Sequence, residues 1–243
     1  MLNQLRISLI RQIIEWNEKW VFSRRLMKFY AKEMPQKVQR VIDVGANLGQ
    51  TIDEYLKVNH SCEIIAFEPN PSLFTNLKKR YQKNTNVILE PLGISDEIGT
   101  KTFYENIFHS TSSFEPLDQD SEYLQRKAKV LGVAPDQIIK ASYPVEITTL
   151  SHYINHSVSG PIDVLKIDTE GHELACLHGL FSEPLRHSIE FIQLEVHNDD
   201  MYLNSHSFEE ITQILEQNGY SLAGKIKHGF GDFYDAVFRK NRN

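Results

Sequence analysis

Short apolar runs alternate with helical stretches from residue 40 onward, and this alternation constrains the fold more than any other feature of the sequence. The runs RVIDVGANLG, CEIIAFEPN and NVILEPLGISD each have the pattern of a buried strand. The stretches QTIDEYLKVN and SLFTNLKKRYQK between them have the spacing of helices. Strands that alternate with helices form a parallel sheet covered on both faces. We therefore predict an α/β fold with a doubly wound, mostly parallel, Rossmann-like sheet.

The alternation stops between residues 99 and 143 and then resumes. PVEITTLSHYI leads back to the sheet, and IDVLKID and EFIQLEVHN have the pattern of two further strands. SFEEITQILEQNG predicts a helix that begins at Ser207, with Glu210 completing a capping box, and the final residues resemble a glycine-linked hairpin. A long excursion in a regular fold usually covers a site or contacts a partner, so we expect the segment 99–143 to do so.

The first 35 residues precede this pattern, and we predict that they form an amphipathic helical extension to a single domain over residues 36–243. Apolar residues recur there at helical spacing: Leu2, Leu5, Leu9, Ile13, Trp16 and Trp20. Charged residues interrupt every long apolar run, so we expect neither a membrane span nor a signal peptide. Two interpretations stay open. The helix packs on the domain, which is the commoner case, or it lies on a membrane surface or a partner, with Arg24, Arg25 and Lys28 following the tryptophans.

Net charge and cysteine usage exclude several classes of protein. A formal net charge of −6 gives no basis for binding a polyanion, so we expect no nucleic-acid partner. Cys62 and Cys176 are the only cysteines, too few for a disulfide framework and too far apart for a zinc motif. We therefore predict a cytoplasmic protein, while its oligomeric state does not follow from the sequence.

The stretch DVGANLG places Gly45, Asn47 and Gly49 where a strand turns into a helix. Glycines let the backbone approach a ligand closely, and the start of a helix offers N–H donors. The spacing is G-x-N-x-G, which differs from the G-x-G-x-x-G of dinucleotide-binding folds. Glu68 closes the next strand, about 25 residues after Asp43, where a carboxylate accepts hydrogen bonds from the ribose of an adenosine ligand.

The motifs DVGANLG, FEPN, LGISD, LKIDTEGHE with the following LHG, and LEVH occur in this order. Together they resemble the FkbM-type family of S-adenosylmethionine-dependent methyltransferases, over approximately residues 41–240. The resemblance implies a class I methyltransferase type of sheet, with S-adenosylmethionine as cofactor and a hydroxyl on a sugar, macrolide or glycoconjugate as methyl acceptor. It also implies that the cofactor is surrounded by Asp43, Gly45, Asn47, Gly49, Glu68 and Asp96. We add two neighbouring candidates, Pro69 after Glu68 and Asp168 at the end of the LKID strand.

Two later strands carry charged residues where a central parallel strand is normally apolar. Lys166 lies in IDVLKID and Glu195 in FIQLEVHN, and such groups are costly inside a sheet unless they are paired. If the strands are parallel neighbours, the two side chains share a face and neutralise each other. We therefore predict a polar cluster near the carboxyl ends of the strands, where open α/β sheets bind ligands. Glu173 is assigned to the start of the next helix, and the role of Glu170 stays open.

The predicted catalytic residues are His197, Asp168, Glu195 and His172, and three of them are candidates for the base that the acceptor hydroxyl needs. His197, beside Glu195 at a strand exit, is the first choice, Asp168 is the second and His172 is the third. The set Asp168, Glu195 and His197 also has the ligand chemistry of a Mg²⁺ or Ca²⁺ site. A divalent metal is not favoured, because Lys166 would place a positive charge beside it.

We therefore expect a methyltransferase that transfers a methyl group from S-adenosylmethionine to a hydroxyl of a sugar, glycoconjugate or other small-molecule acceptor. A different class stays open as the alternative: a cofactor-binding interaction protein without turnover, docked through its N-terminal helix. A nucleotide-dependent oxidoreductase is disfavoured by the G-x-N-x-G spacing.

Overall fold

The computed structural model describes residues 21–34, 36–196, 200–203, 206–228 and 233–242 of the 243-residue chain. The helices are α1 Ser23–Glu33, α2 Gln50–Val58, α3 Pro71–Tyr81, α4 Glu122–Leu131, α5 Leu150–Ser157, α6 Glu173–Leu180 and α7 Phe208–Gln217. The strands are β1 Arg40–Val44, β2 Glu63–Phe67, β3 Val87–Glu90, β4 Gly93–Ile94, β5 Gly99–Asn106, β6 Ile139–Thr148, β7 Ile162–Ile167, β8 Ile189–Val196, β9 Tyr220–Lys227 and β10 Tyr234–Lys240.

Seven strands form the main sheet, in the order β3-β2-β1-β7-β8-β10-β9. The first five are parallel, and β10 pairs antiparallel with both β8 and β9, so the chain closes with the predicted hairpin. The predicted doubly wound, mostly parallel sheet is confirmed. The chain runs outward from β1 to β3 and then returns to β7, so the crevice at the carboxyl ends of β1 and β7 is the switch point where such sheets bind ligands.

The predicted third strand is wrong in one respect, because it is two strands in two sheets. β3 ends at Glu90, and β4 pairs with β6 in a separate three-stranded sheet of order β4-β6-β5. Pro91 lies between them and has no N–H to continue the ladder with β2. The excursion after residue 99 therefore contains β5, α4 and β6, and it is built on this second sheet.

Apolar clusters cover both faces of the main sheet. One cluster joins the inner sides of α5, α6 and α7 to the sheet, and the other joins α1, α2 and α3 to the opposite face. Phe22, Leu26 and Tyr30 belong to the second cluster and are buried. Residues 21–34 of the predicted extension are thus part of the domain core, and residues 1–20 lie outside the described residues. No helix in the described ranges has the length and apolar character needed to cross a membrane.

The capping box predicted at the start of α7 is confirmed. Ser207 Oγ accepts a hydrogen bond from the Glu210 N–H at 3.2 Å, and Glu210 Oε2 accepts one from the Ser207 N–H at 2.9 Å. Cys62 and Cys176 are both buried and form no disulfide.

Candidate functional site

The turn between β1 and α2 is held in a conformation that favours glycine. Gly45, Asn47 and Gly49 have φ angles of 92°, 48° and 83°, all in the left-handed region. The Gly45 and Ala46 N–H groups donate to the carbonyl of Phe67 at 3.1 and 2.9 Å, which fixes the turn above β2. The three residues predicted to surround a ligand therefore form one compact loop at the carboxyl end of β1.

Gly45 is needed for a reason that its motif does not reveal. A Cβ atom at this position would lie 1.9 Å from the backbone carbonyl oxygen of Asp168. The sequence predicts that glycine here makes room for a ligand, and the structure adds that it makes room for the backbone at the end of β7. The turn and Asp168 are thereby brought into direct contact across the switch point.

We expect Gly45→Ala to lower the free energy of unfolding more than Gly132→Ala does. Gly132 also has a left-handed φ, 70°, but a Cβ there would meet nothing within 4 Å, so it is a matched control for backbone strain alone. The control should cost about 1–2 kcal/mol, and the clash at Gly45 should add roughly 1–3 kcal/mol. Urea unfolding of the two variants measures the difference, and equal losses would contradict a structural role for the contact with Asp168.

Glu68 lies at the carboxyl end of β2 and is only 4% exposed. Its Oε2 accepts a hydrogen bond from the Asn47 N–H at 2.7 Å, and its Oε1 accepts one from the Asn70 N–H at 2.9 Å. Burial raises the pKa of Glu68 to about 7, although these two hydrogen bonds lower it. Pro69 links Glu68 to Asn70, which caps the N-terminus of α3. Glu68 is therefore a preorganised carboxylate directly beside the glycine turn.

Two buried acceptors near this turn lack a well-placed donor. Neither carboxylate oxygen of Asp43 has a donor in full hydrogen-bonding geometry among the described residues, although the side chain of Thr51 is close enough to lower its pKa, and Asn47 Oδ1 likewise has no donor there. Burial raises the pKa of Asp43 to about 6, with the positive charge of Lys166 opposing that rise. Buried polar atoms in proteins are nearly always hydrogen-bonded, so orphaned acceptors at the switch point indicate a place for a ligand that carries donors.

The predicted polar cluster on one sheet face is confirmed. Lys166 Nζ lies 2.8 Å from Asp168 Oδ2. Burial alone would lower the pKa of Lys166, but the carboxylates of Asp168, Asp43 and Asp235 raise it above its ordinary value. β7 and β8 are parallel neighbours as expected, with Lys166 in register with Gln193. Lys166 is therefore a half-buried cation whose ion pair is with Asp168, at the end of its own strand. The prediction that Lys166 and Glu195 neutralise each other is wrong, because the nearer carboxylate of Asp168 pairs with the lysine.

A further part of this cluster, which was not predicted from the sequence, lies under α1. The Tyr30 hydroxyl donates to Gln193 Oε1 at 2.7 Å, and the Gln193 amide donates to Asp235. His228 Nε2 lies 2.7 Å from the other oxygen of Asp235, and the His228 ring stacks on Phe22. The one available signal was Asp235 inside the apolar strand YDAVFRK. Helix α1 is thus joined to the polar face by hydrogen bonds as well as by apolar packing.

Three carboxylates meet at the carboxyl edge of β7 and β8. One oxygen from each of Asp168, Glu170 and Glu195 lies within 4.8 Å of the others, and all three residues are half-buried. The Tyr202 hydroxyl donates to Glu170 Oε2 at 3.1 Å. His197, the first choice as base, lies just beyond β8 and outside the described residues. The oxygen set suits a hard cation, but Lys166 already supplies positive charge to Asp168, so we assign no metal.

His172 lies inside the protein and is fully buried. Its Nδ1 is 2.6 Å from Glu115 Oε1, and its Nε2 is 3.0 Å from Ser95 Oγ, which in turn donates to Asp96 Oδ1 at 2.8 Å. Asp96 itself is exposed. The pKa of Asp96 is lowered overall. Burial alone would raise it, but the hydrogen bond from Ser95 and the positive charge of Lys101 act in the opposite direction and prevail. His172 is thus enclosed by protein, whereas Asp168 is half-buried at the carboxyl edge of the sheet.

The excursion covers the loop that follows β7. We call residues 107–138 together with 200–203 the cap. Its apolar centre consists of Leu117, Leu124, Ala128, Ile138, Met201 and Tyr202. The Ser113 hydroxyl donates to the carbonyl of Thr169 at 3.1 Å. Glu173 holds the same loop from below, because its carboxylate accepts the N–H groups of Thr169 and Gly171 at 2.8 and 3.0 Å. Glu173 therefore orders the loop before its helix, which is a structural role as expected.

Known proteins share a sequence domain and a fold with this chain. Residues 43–222 match the family described as Methyltransferase FkbM domain. Magnesium protoporphyrin IX methyltransferase from Synechocystis PCC 6803, solved with bound SAM, is 11% identical with a TM-score of 0.53, and the match covers 96% of this chain and 84% of that one. TrmK from M. capricolum, in complex with S-adenosyl-homocysteine, is 10% identical with a TM-score of 0.51, over 90% of this chain and 68% of that one. No curated protein sequence matches this chain significantly.

Proposed function

Because this chain belongs to the FkbM methyltransferase family, we propose that it transfers a methyl group from S-adenosylmethionine to a hydroxyl of a sugar, glycoconjugate or other small-molecule acceptor. The observation that carries the proposal is the set of buried acceptors without well-placed donors at the switch point, Asp43 and Asn47, beside the preorganised Glu68. The fold is shared with methyltransferases, but a shared fold does not identify a substrate. We infer the class of methyl acceptor from the family resemblance and from the carboxylates of Asp168, Glu170 and Glu195, which can accept hydrogen bonds from hydroxyl groups.

The residues around the glycine turn fit S-adenosylmethionine. This cofactor supplies an electrophilic methyl group on a sulfonium, and it carries ribose hydroxyls and an ammonium group as donors. We assign Glu68 to accept from the ribose hydroxyls and Asp43 and Asn47 to the remaining donors, and the buried acceptors beside the glycine turn support this assignment. The turn with Gly45 and Gly49 brings the backbone close to the ligand. The two structural neighbours, solved with SAM and S-adenosyl-homocysteine, support the same cofactor here.

The carboxylate edge of β7 and β8 would hold the acceptor. Carboxylates accept hydrogen bonds from the hydroxyls of sugars, and Asp168, Glu170 and Glu195 converge at this edge beneath the cap. Orienting a hydroxyl for in-line attack contributes roughly 7–11 kcal/mol to lowering a barrier in favourable cases. The ion pair with Lys166 holds the carboxylate of Asp168 in position. The backbone carbonyl of Asp168 lies against Gly45 in the glycine turn. We assign Asp168 to orient the acceptor and receive its proton, with His197 as the rival for the proton.

Calorimetry and turnover together test this function. We expect the full chain to bind S-adenosylmethionine and S-adenosylhomocysteine but not NAD, because the turn lacks the dinucleotide spacing. Transfer of a labelled methyl group is then measured against a panel of sugars and macrolides, with a deoxy analogue of each active acceptor as its matched control. Tight cofactor binding without transfer to any acceptor would favour the interaction protein without turnover. Binding of NAD alone would overturn the methyltransferase assignment of the site.

A further inference from the structure

The two faces of the main sheet carry helices of opposite surface charge. The exposed charged residues of α1, α2 and α3, which cover one face, are all cations: Arg24, Arg25, Lys28, Lys32, Lys57, Lys78, Lys79 and Arg80. The helices on the other face, α5, α6 and α7, expose Glu209, Glu210 and Glu216 and contain no lysine or arginine. The net charge of the chain is −6, so a helix layer whose described residues expose no acid departs from the composition. We call the exposed side of α1, α2 and α3 the cationic face.

The cationic face is continuous from α1 to α3. The Ser23 hydroxyl of α1 donates to Glu54 of α2, and the Tyr81 hydroxyl of α3 donates to Asp53 of α2 at 2.8 Å. Arg80 of α3 also pairs with Asp53. Both carboxylates of α2 are therefore half-buried and bonded between the helices, whereas the lysines and arginines of the three helices are exposed.

Helix stability explains only part of this positive charge. Cations in the last turn of a helix complement its dipole, and five of the eight cations lie in last turns. Arg24, Arg25 and Lys28 come earlier in α1 and gain nothing from the dipole. Arg24 and Lys28 are four residues apart, and like charges at that spacing destabilise a helix. These three cations, together with Val21, line a surface cavity of about 330 Å³. Such a cluster indicates an anionic partner.

Helix α1 is fixed in the orientation that exposes these cations. Leu26 and Tyr30 are buried in the core, and the Tyr30 hydroxyl donates to Gln193 at 2.7 Å. Arg25 donates to the carbonyl of Lys227, at the end of β9, at 3.0 Å. Because the apolar side of α1 is already packed on the domain, its exposed side can bind a partner only through charge. Binding of that kind weakens as salt is added.

The sequence before α1 favours a lipid surface as this partner. Trp16 and Trp20 are the only two tryptophans of the chain, and they follow Leu9 and Ile13 at helical spacing. Tryptophan is enriched at the boundary between lipid and water. Basic residues that adjoin such a segment are attracted to anionic headgroups. An amphipathic sequence with both tryptophans thus leads directly into the cationic face.

We propose that the cationic face docks the protein on an anionic membrane surface, with Arg24, Arg25 and Lys28 against the lipid phosphates. The acidic helices α5, α6 and α7 then lie on the side away from the lipid, so the charge of the two faces sets the orientation of the docked protein. The docking does not rest on the proposed function, because none of these three cations belongs to the cofactor site or to the carboxylates at the edge of β7 and β8.

Cosedimentation of the full chain with vesicles tests the docking. We expect binding to vesicles of phosphatidylcholine mixed with phosphatidylserine, and none to phosphatidylcholine alone. Each lysine or arginine near an anionic surface contributes about 1 kcal/mol, a factor of about five, so Arg24→Gln/Lys28→Gln should bind about 25-fold more weakly. Binding of the unmodified protein should also weaken from about 0.1 M to about 1 M salt, where the screening length falls from about 10 Å to about 3 Å.

A second double variant is the matched control. Arg186→Gln/Lys225→Gln removes two exposed cations from the side of the sheet that α5 and α7 cover. The Arg186 N–H donates to Asn155 of α5 at 2.8 Å, and Lys225 Nζ lies 3.9 Å from the ring centre of Phe208 in α7. This variant should bind the vesicles as the unmodified protein does. Circular dichroism checks that both double variants are folded.

Three results would overturn the docking. The first is equal binding to vesicles with and without phosphatidylserine, and the second is an equal loss of binding in the two double variants. The third is tighter binding to a single-stranded RNA than to the vesicles at the same salt concentration, with the RNA affinity lost in Arg24→Gln/Lys28→Gln. That result would assign the cationic face to a nucleic acid instead of a membrane.

Discussion

Replacing Asp168 with asparagine should lower the rate of methyl transfer by a factor of about 10² to 10⁴, the contribution usual for a general base. Asparagine keeps the shape of the side chain but does not take up a proton. Asp168 is half-buried at the carboxyl end of β7, bonded to Lys166 and close to Glu170 and Glu195. Affinity for S-adenosylhomocysteine should change little, because the groups assigned to the cofactor's donors lie on the glycine turn and at the end of β2.

The measurement is the single-turnover rate with an acceptor that the unmodified protein methylates. Asp168→Asn leaves Lys166 as a half-buried charge without its ion pair, which is itself destabilising. The double variant Lys166→Met/Asp168→Asn removes both charges, so it should recover stability without recovering turnover. Unchanged turnover in Asp168→Asn would move the assignment to His197 or Glu195. A loss of cofactor affinity with turnover intact at saturation would place Asp168 on the cofactor instead.

Replacing Glu68 with glutamine should weaken S-adenosylhomocysteine binding by roughly 10- to 100-fold. A hydrogen bond to a charged group contributes about 1.5–3 kcal/mol, and the neutral amide gives up that charge while keeping the shape. Calorimetry at slightly alkaline pH, where Glu68 of the unmodified protein is ionised, measures the loss. Glu63→Gln is the matched control, because it changes a glutamate at the other end of β2 that pairs with Arg40. Equal affinity in Glu68→Gln and Glu63→Gln would remove Glu68 from the site.

The raised pKa of Glu68 adds a pH dependence to this prediction. Burial raises it to about 7, so the carboxylate that accepts from ribose is increasingly protonated as the pH falls through 7. Cofactor affinity of the unmodified protein should therefore decrease on the acid side of neutrality and level off above it, by the linkage between proton and ligand binding. Asp43, with a pKa near 6, contributes at lower pH. In Glu68→Gln only the Asp43 part should remain, and an unchanged profile would contradict ionised Glu68 as the ribose acceptor.

Local patterns in the sequence determined the fold class and the place of the site. The alternation of apolar strands with amphipathic helices requires a parallel sheet with helices on both faces, and the carboxyl ends of its strands are where the motifs occur. The glycine turn and the capping box at Ser207 were readable because each depends on residues a few positions apart, and Glu68 was readable as the acid that closes the next strand. The charged Lys166 inside an apolar strand also predicted a polar cluster, since a buried charge must be paired.

The tertiary structure alone decided which distant groups meet. The reason for Gly45 is a carbonyl oxygen at residue 168, and the partners of His172 are Glu115 and Ser95, neither of which is close to it in sequence. The chain also leaves the main sheet at Pro91, and α1 packs into the core through Tyr30. Periodicity and capping report the conformation of a segment and the face that it buries. They do not report how the 45-residue excursion over residues 99–143 folds back, and that return path sets the contacts between the cap and the loop after β7.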